Sequence, residues 1–444
     1  MKTLALATGL VASFGFALPA AAAIDIQEVT TEAGFEAWLV EEESVPFVSL
    51  EIRFEGGAVL DPADKAGVTN LMVGLLEEGA GDLDARGFAA AQESLAASFS
   101  YDAGHDAVSV SARFLTENMD EVVALLQDSL SEPRFDEDAI ERVRAQVMSG
   151  LRSAQNDPGE IAERRAAELA FGDHPYARPV SGTLESVPSL TRDDIVAAHE
   201  TALVQDRVRI GASGDISAEE LSELIDTLME GLPETGGDLP RKIEVKTDGG
   251  VTVVPFDTPQ SVAVFEQPGI DRHDEDFFPA YVMNEILGGG GFEARLTEEV
   301  RVKRGLTYGV YSYLATRDYA DLVMGRVQSS NETVAEAVEV IRDEWGRMAS
   351  EGVTEAELEQ AKTYLTGAYP LRFDGNAAIA SILVGMQMDD LTPDYVNTRN
   401  GKIEAVTVED VKRVAGELLD PDALSFVVVG DPEGFDEAQD VQGQ

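Results

Sequence analysis

Residues 190–215 read LTRDDIVAAHETALVQDRVRIGASGD, and residues 406–431 read VTVEDVKRVAGELLDPDALSFVVVGD. Each stretch opens a helix, continues into a buried apolar strand and ends in a Gly-Asp turn. A second pair lies upstream of these. Ile140–Gly150 and Leu358–Gly367 both place apolar residues at helical spacing. Their starts are 358 − 140 = 218 residues apart, and the downstream pair repeats at close to the same offset. One unit is therefore written twice along the chain, as a tandem duplication.

Each copy also carries strands of period two. Phe47–Phe54 and Ala107–Phe114 alternate clearly in the first copy, and Ser261–Phe265 and Leu322–Val327 serve in the second. Strands followed by helices, at hairpin-like spacing, predict an α+β fold. Its two tandem homologous domains would each hold a mainly antiparallel sheet covered by helices. The expected boundaries are 24–232 and 251–444, joined by a polar Gly/Pro-containing linker at 233–250.

The 444 residues are 44% hydrophobic and 26% charged, which is the composition of a globular protein. Lys2, the apolar run Leu4–Leu18 and the small residues before Ile24 predict a signal peptide at 1–23. The expected location is outside the cytoplasm, in the periplasm of a Gram-negative bacterium. No later stretch is apolar enough to enter a membrane. The chain has no cysteine, which excludes disulfides and thiolate chemistry. A formal charge of −50 argues against nucleic acid and anionic membranes as partners.

Residues 288–308 read GGGGFEARLTEEVRVKRGLTY. Gly288, Gly289, Gly290 and Gly291 lack the Gly-Lys-Ser/Thr ending of a phosphate loop, and their expected use is a flexible or close-approach backbone. Two further stretches bear on function: Phe171-Gly172-Asp173-His174-Pro175-Tyr176, and Asp257-Thr258-Pro259-Gln260-Ser261 at the start of the second copy. In order and spacing these segments resemble the pitrilysin/insulinase-type zinc peptidases, in the bacterial branch related to mitochondrial processing peptidase. The resemblance covers nearly the whole chain after residue 23.

That family carries zinc on an H-x-x-E-H helix in its first repeat, with two histidines on one helix face and a glutamate between them as general base. The resemblance places this motif on Asn70, Val73 and Gly74, and a later glutamate ligand on Gly150. Valine and glycine cannot bind zinc, and asparagine alone makes a poor site. The four histidines His105, His174, His199 and His273 offer no local metal pair, and no G-x-S-x-G elbow is present. This chain is thus expected to bind no metal and to carry no catalytic residue.

The resemblance implies a different role for the second repeat. Arg301, and Tyr308 seven residues later, stand where relatives reach the substrate from the half opposite the zinc. A guanidinium and a phenol can hold a peptide backbone or a developing oxyanion without performing hydrolysis. The expected protein is a non-catalytic, substrate-binding subunit forming half of a clam-like chamber. A homologous H-x-x-E-H subunit would supply the zinc, and peptides would be the substrate. The alternative is a stand-alone pseudopeptidase that binds peptides or scaffolds an envelope assembly.

Overall fold

The protein is described by a computed structural model covering residues 24–289, 291, 293–435 and 439–440. The expected signal peptide and Gly290 lie outside the described residues. In chain order the first half contributes β1 (Gln27–Thr30), β2 (Glu36–Glu41), β3 (Phe47–Glu55), a short ribbon of β4 (Gly79–Ala80) and β5 (Leu83–Asp84), β6 (Ser98–Ala103), β7 (Ala107–Leu115) and β8 (Val208–Gly214). The second half contributes β9 (Gly250–Pro255), β10 (Gln260–Pro268), β11 (Thr307–Arg317), β12 (Ala320–Ser330), β13 (Ser425–Gly430) and β14 (Gln439–Asp440).

Two six-stranded sheets result, ordered β1-β2-β8-β3-β7-β6 and β11-β12-β10-β13-β9-β14. Read from opposite ends, β2-β8-β3-β7-β6 and β9-β13-β10-β12-β11 are the same arrangement, so the duplication seen in the sequence is a duplication of topology. Most neighbours are antiparallel. The parallel pairs are β2 with β8, β13 with β9 and β14 with β9. The repeated helices are also capped alike. Thr191 with Asp194 and Thr407 with Asp410 form reciprocal capping boxes that satisfy the first free N–H groups.

Each sheet buries one face against helices of its own half. In β3 the residues Val48, Leu50, Ile52 and Phe54 enter the first core, and in β10 Ala263 and Phe265 enter the second. The other face of each sheet is covered by a helix from the opposite half. Pro158–Phe171 lies on β10 and β13, where its small residues Ala162 and Ala166 pack on Val262, Val264, Val427 and Val429. Asn376–Met388 lies on β8, β3 and β2, with Leu383 and Met386 against Trp38. The two exchanged helices begin 376 − 158 = 218 residues apart.

This exchange brings backbone against backbone. A Cβ at Gly211 would stand 2.8 Å from the carbonyl oxygen of Ala380, so only glycine lets the second helix settle on β8. Gln387 then donates 2.8 Å to the carbonyl oxygen of Ile210. Gly150, by contrast, is exposed in the helix Glu137–Ala154, and an added Cβ would meet nothing within 4 Å. Gly211→Ala should therefore lower unfolding stability by about 1–3 kcal/mol through overpacking. Gly150→Ala should raise it by about 0.5–1 kcal/mol through helix propensity. Denaturant midpoints of the two variants check both signs.

Candidate functional site

The segment expected to hold the metal motif is a short helix, Val68–Val73, with Gly67 and Gly74 at its ends. It is held at its start by Asp61, which accepts from the N–H groups of Gly67 and Thr69 and from the Thr69 hydroxyl at 2.6 Å. Burial raises the Asp61 carboxyl, and these hydrogen bonds work against that rise.

The expected ligand positions fall in different surroundings. Val73 is buried in the first core. Gly74 faces the helix Glu137–Ala154, where a Cβ would approach Val143 Cγ1 at 3.0 Å. Gly150 lies on that same helix, exposed, two turns beyond Val143. Among the described residues there is no group of three or more His, Cys, Asp or Glu that could hold a metal. Three of the four histidines have structural partners. His199 bonds the Leu130 carbonyl at 2.7 Å, and His105 bonds that of Arg178 at 3.0 Å. The ring of His174 caps the turn at Tyr176. Desolvation lowers all three below the usual histidine value.

The second-repeat segment is built very differently. Gly288 is the last residue of the helix Phe277–Gly288, so it belongs to that helix and not to the expected loop. The reason is steric. The helix end lies on β11 so closely that a Cβ would fall 2.8 Å from the backbone nitrogen of Ser312. Asn284 and Ser312 complete this contact through two hydrogen bonds. Gly289 and Gly291 follow the helix.

Arg295 anchors the next turn with a two-pronged bond to Glu357 at 2.7 and 2.9 Å, and a third bond to the Gly352 carbonyl. The chain then winds as a π-helix from Thr297 to Val302, a wide turn often associated with functional sites. Arg301 sits on this turn, half-buried, and its carbonyl accepts from Gly305 N–H at 2.9 Å. Glu299, on the same turn, is buried and bonded to Lys303 and Arg304 at 2.7 Å each.

Tyr308 enters β11 through a bulge. The register passes from Thr307 opposite Ser329 to Val310 opposite Val327, so Tyr308 and Gly309 stand against Gln328. The Thr307 hydroxyl pins the bulge, donating 2.6 Å to the Gln328 carbonyl and accepting from Gly309 N–H at 3.0 Å. Tyr308 is 86% exposed, and Tyr311 and Tyr313 follow it as large exposed aromatics. β11 is the edge strand of its sheet.

Of the expected site residues, Asn70 lines a cavity between the two halves that Arg301 and Tyr308 do not reach. This cavity, of about 460 Å³, is lined by Asn70 from the first half and by Tyr311 and Tyr313 from β11. Val73, Gly74, Gly150, Arg301 and Tyr308 do not line it. Motif and spacing did not disclose this cavity or Glu266, the buried one of the three glutamates that line it. Charge at an otherwise apolar period-two position of β10 was the available signal.

Comparison with known proteins agrees with this picture. The insulinase family pattern (peptidase family M16) matches residues 37–184, and that of the peptidase M16 inactive domain matches 189–365. A non-peptidase homolog, YmxG of Helicobacter pylori, is 25% identical over 410 residues, covering 92% of this chain and 94% of its own. A probable mitochondrial-processing peptidase subunit beta of Schizosaccharomyces pombe is 26% identical, covering 70% of this chain and 71% of its own. The crystal structure of a peptidase M16 inactive domain from Pseudomonas fluorescens superposes with a TM-score of 0.86 at 29% identity. It covers 94% of this chain and 100% of that one.

The Arg295–Glu357 clamp allows a pH test. Burial opposes ionisation of Glu357, but bonds from Arg295 and Thr354 outweigh it and hold the carboxyl down at about 2. A value lowered on folding means stability that is complete above the unfolded value and lost as pH falls toward the folded one. Acid titration of unfolding stability should show wild type exceeding Glu357→Gln at about pH 6, with the gap narrowing steadily below about pH 4.5.

Proposed function

Because the chain belongs to the M16 (insulinase) family and is a non-catalytic member of it, we propose that it is the substrate-binding subunit of a two-chain peptidase. The observation that carries this reading is an asymmetry between its halves. In the first half, the positions where the family resemblance puts the ligands read Asn70, Val73, Gly74 and Gly150. The second presents Tyr308 in full exposure, on a bulge pinned by Thr307, beside an eleven-residue edge strand. A site with no further use would not need that exposure.

In this reading a homologous H-x-x-E-H chain supplies the zinc, and the two chains close on peptide substrate. Arg301 and Tyr308 hold the peptide or its developing oxyanion from the side opposite the metal. The free edge of β11 offers main-chain hydrogen bonds to an extended segment. The apolar run Leu4–Leu18, followed by small residues, supports export, with the periplasm as the place of action. Among the described residues no helix is long and apolar enough to cross a membrane.

The test is reconstitution with a zinc-bearing homologue of similar length. Hydrolysis of an unfolded peptide should require both chains. Arg301→Ala and Tyr308→Phe should each lower the rate about 10²-fold while leaving the complex assembled. Full activity in both variants would sink the assignment of these two residues. Binding of peptide by the isolated chain, with no gain on adding the zinc subunit, would favour the stand-alone pseudopeptidase.

A further inference from the structure

Glu266 is an unusual residue for its position. It lies on β10, on the same face as Val262 and Val264, beneath the exchanged helix Pro158–Phe171. Only 3% of its surface is exposed, and its Oε2 atom has no hydrogen-bond partner among the described residues. A buried carboxylate oxygen without a donor is costly, and natural structures rarely keep one without a use.

Sheet register shows what surrounds it. Glu266 stands opposite Met324 on β12, which stands opposite Tyr313 on β11. The adjacent row runs Val264, Arg326, Tyr311. All six line the 460 Å³ cavity, whose other wall is the helix Pro158–Phe171. The two tyrosine rings are stacked with centroids 6.3 Å apart, near the cavity mouth. The cavity is therefore a slot with an aromatic entrance and a carboxylate in its wall.

Other charged groups also line the slot. Arg326 is bonded to Glu163 at 2.7 Å. Arg317 lies over the rings of Phe171 and Tyr176 at 5.6 and 5.3 Å. Arg178 donates to the Asp61 carbonyl. Arg164, one helical turn after Glu160, lines the slot without an ion pair among the described residues. On the far side of Glu266, Lys246 and Asp248 of the connecting segment line a separate opening. Among the carboxylates lining the slot, Glu266 is the one with an oxygen buried without a donor among the described residues.

We propose that this slot binds an ammonium or guanidinium group, with Glu266 as its anchor and Tyr311 and Tyr313 as the surface along which the cation's apolar stem lies. A charged donor satisfies Oε2 and supplies the counter-charge that a buried carboxylate needs. Aromatic faces attract the same cations, and the protein's formal charge of −50 favours their approach. The cation can be a free small amine or guanidine, or a lysine or arginine side chain of a peptide. The site stands whether or not the chain pairs with a zinc-bearing subunit.

Calorimetric titration of the full chain decides the matter. The probes are ethylguanidinium and a blocked pentapeptide with one central arginine, against the same peptide with neutral citrulline. The arginine peptide should bind about tenfold or more tightly than the citrulline peptide, and Glu266→Gln should erase that preference. Burial, against the nearby charge of Arg317, raises Glu266 to about 7. A bound cation favours the ionised form, so wild-type affinity should rise severalfold between about pH 6 and pH 8. Should Glu266→Gln fail to fold, this wild-type pH profile is the deciding measurement. Equal binding of the two peptides, a preference that survives Glu266→Gln, or a flat pH profile would each overturn the proposal. Competition by ethylguanidinium identifies a free cation as sufficient, and peptide binding without such competition identifies a chain-borne side chain.

Discussion

Two helices exchanged between two sheets hold this molecule together. Pro158–Phe171 covers the open face of the second sheet, and Asn376–Met388 covers that of the first. Without the exchange each sheet would expose a valine-rich or Trp38-bearing face to water. Burying one such side chain is worth about 1.5–3 kcal/mol, so the two halves stabilise each other and not merely themselves. The exchange also explains the glycines and alanines at the contacts. Gly211 admits the Ala380 carbonyl, and Ala162 and Ala166 let a helix lie close on valines.

The same constraint shapes both sites. The exchanged helix roofs β10 and β13 but leaves β11 and part of β12 uncovered. That shelter makes a cavity where Glu266 is buried, and that gap leaves Tyr308, Tyr311 and Tyr313 exposed on a free edge. In the first half, two of the positions where the resemblance expects the metal motif serve packing. Val73 belongs to the core, and Gly74 gives room to Val143. A larger side chain at 74 would have to displace that valine.

Much of the fold was legible in the chain's periodicity. The strands at 47–54, 107–114, 208–214 and 425–430, and the helices around 140–150 and 358–367, follow from that periodicity and coincide with observed elements. The capping threonines Thr191 and Thr407 mark helix starts by local chemistry alone. The Gly288–Gly291 run was less legible. Glycine licenses both a flexible loop and a close approach, and only the position of Ser312 shows that Gly288 serves the second. Glu266 was not legible as a site, because one charged residue in a strand does not say which element will cover it.

Residue type and spacing were enough to establish the duplication, the strand and helix pattern and the absence of cysteine. These properties hold whatever the chain does in three dimensions. Long-range packing settled which helix covers which sheet, that β11 is an edge, and that Oε2 of Glu266 is buried without a donor. Those facts depend on contacts between distant parts of the chain, as between Gly211 and Ala380, 380 − 211 = 169 positions apart, and local pattern does not encode them.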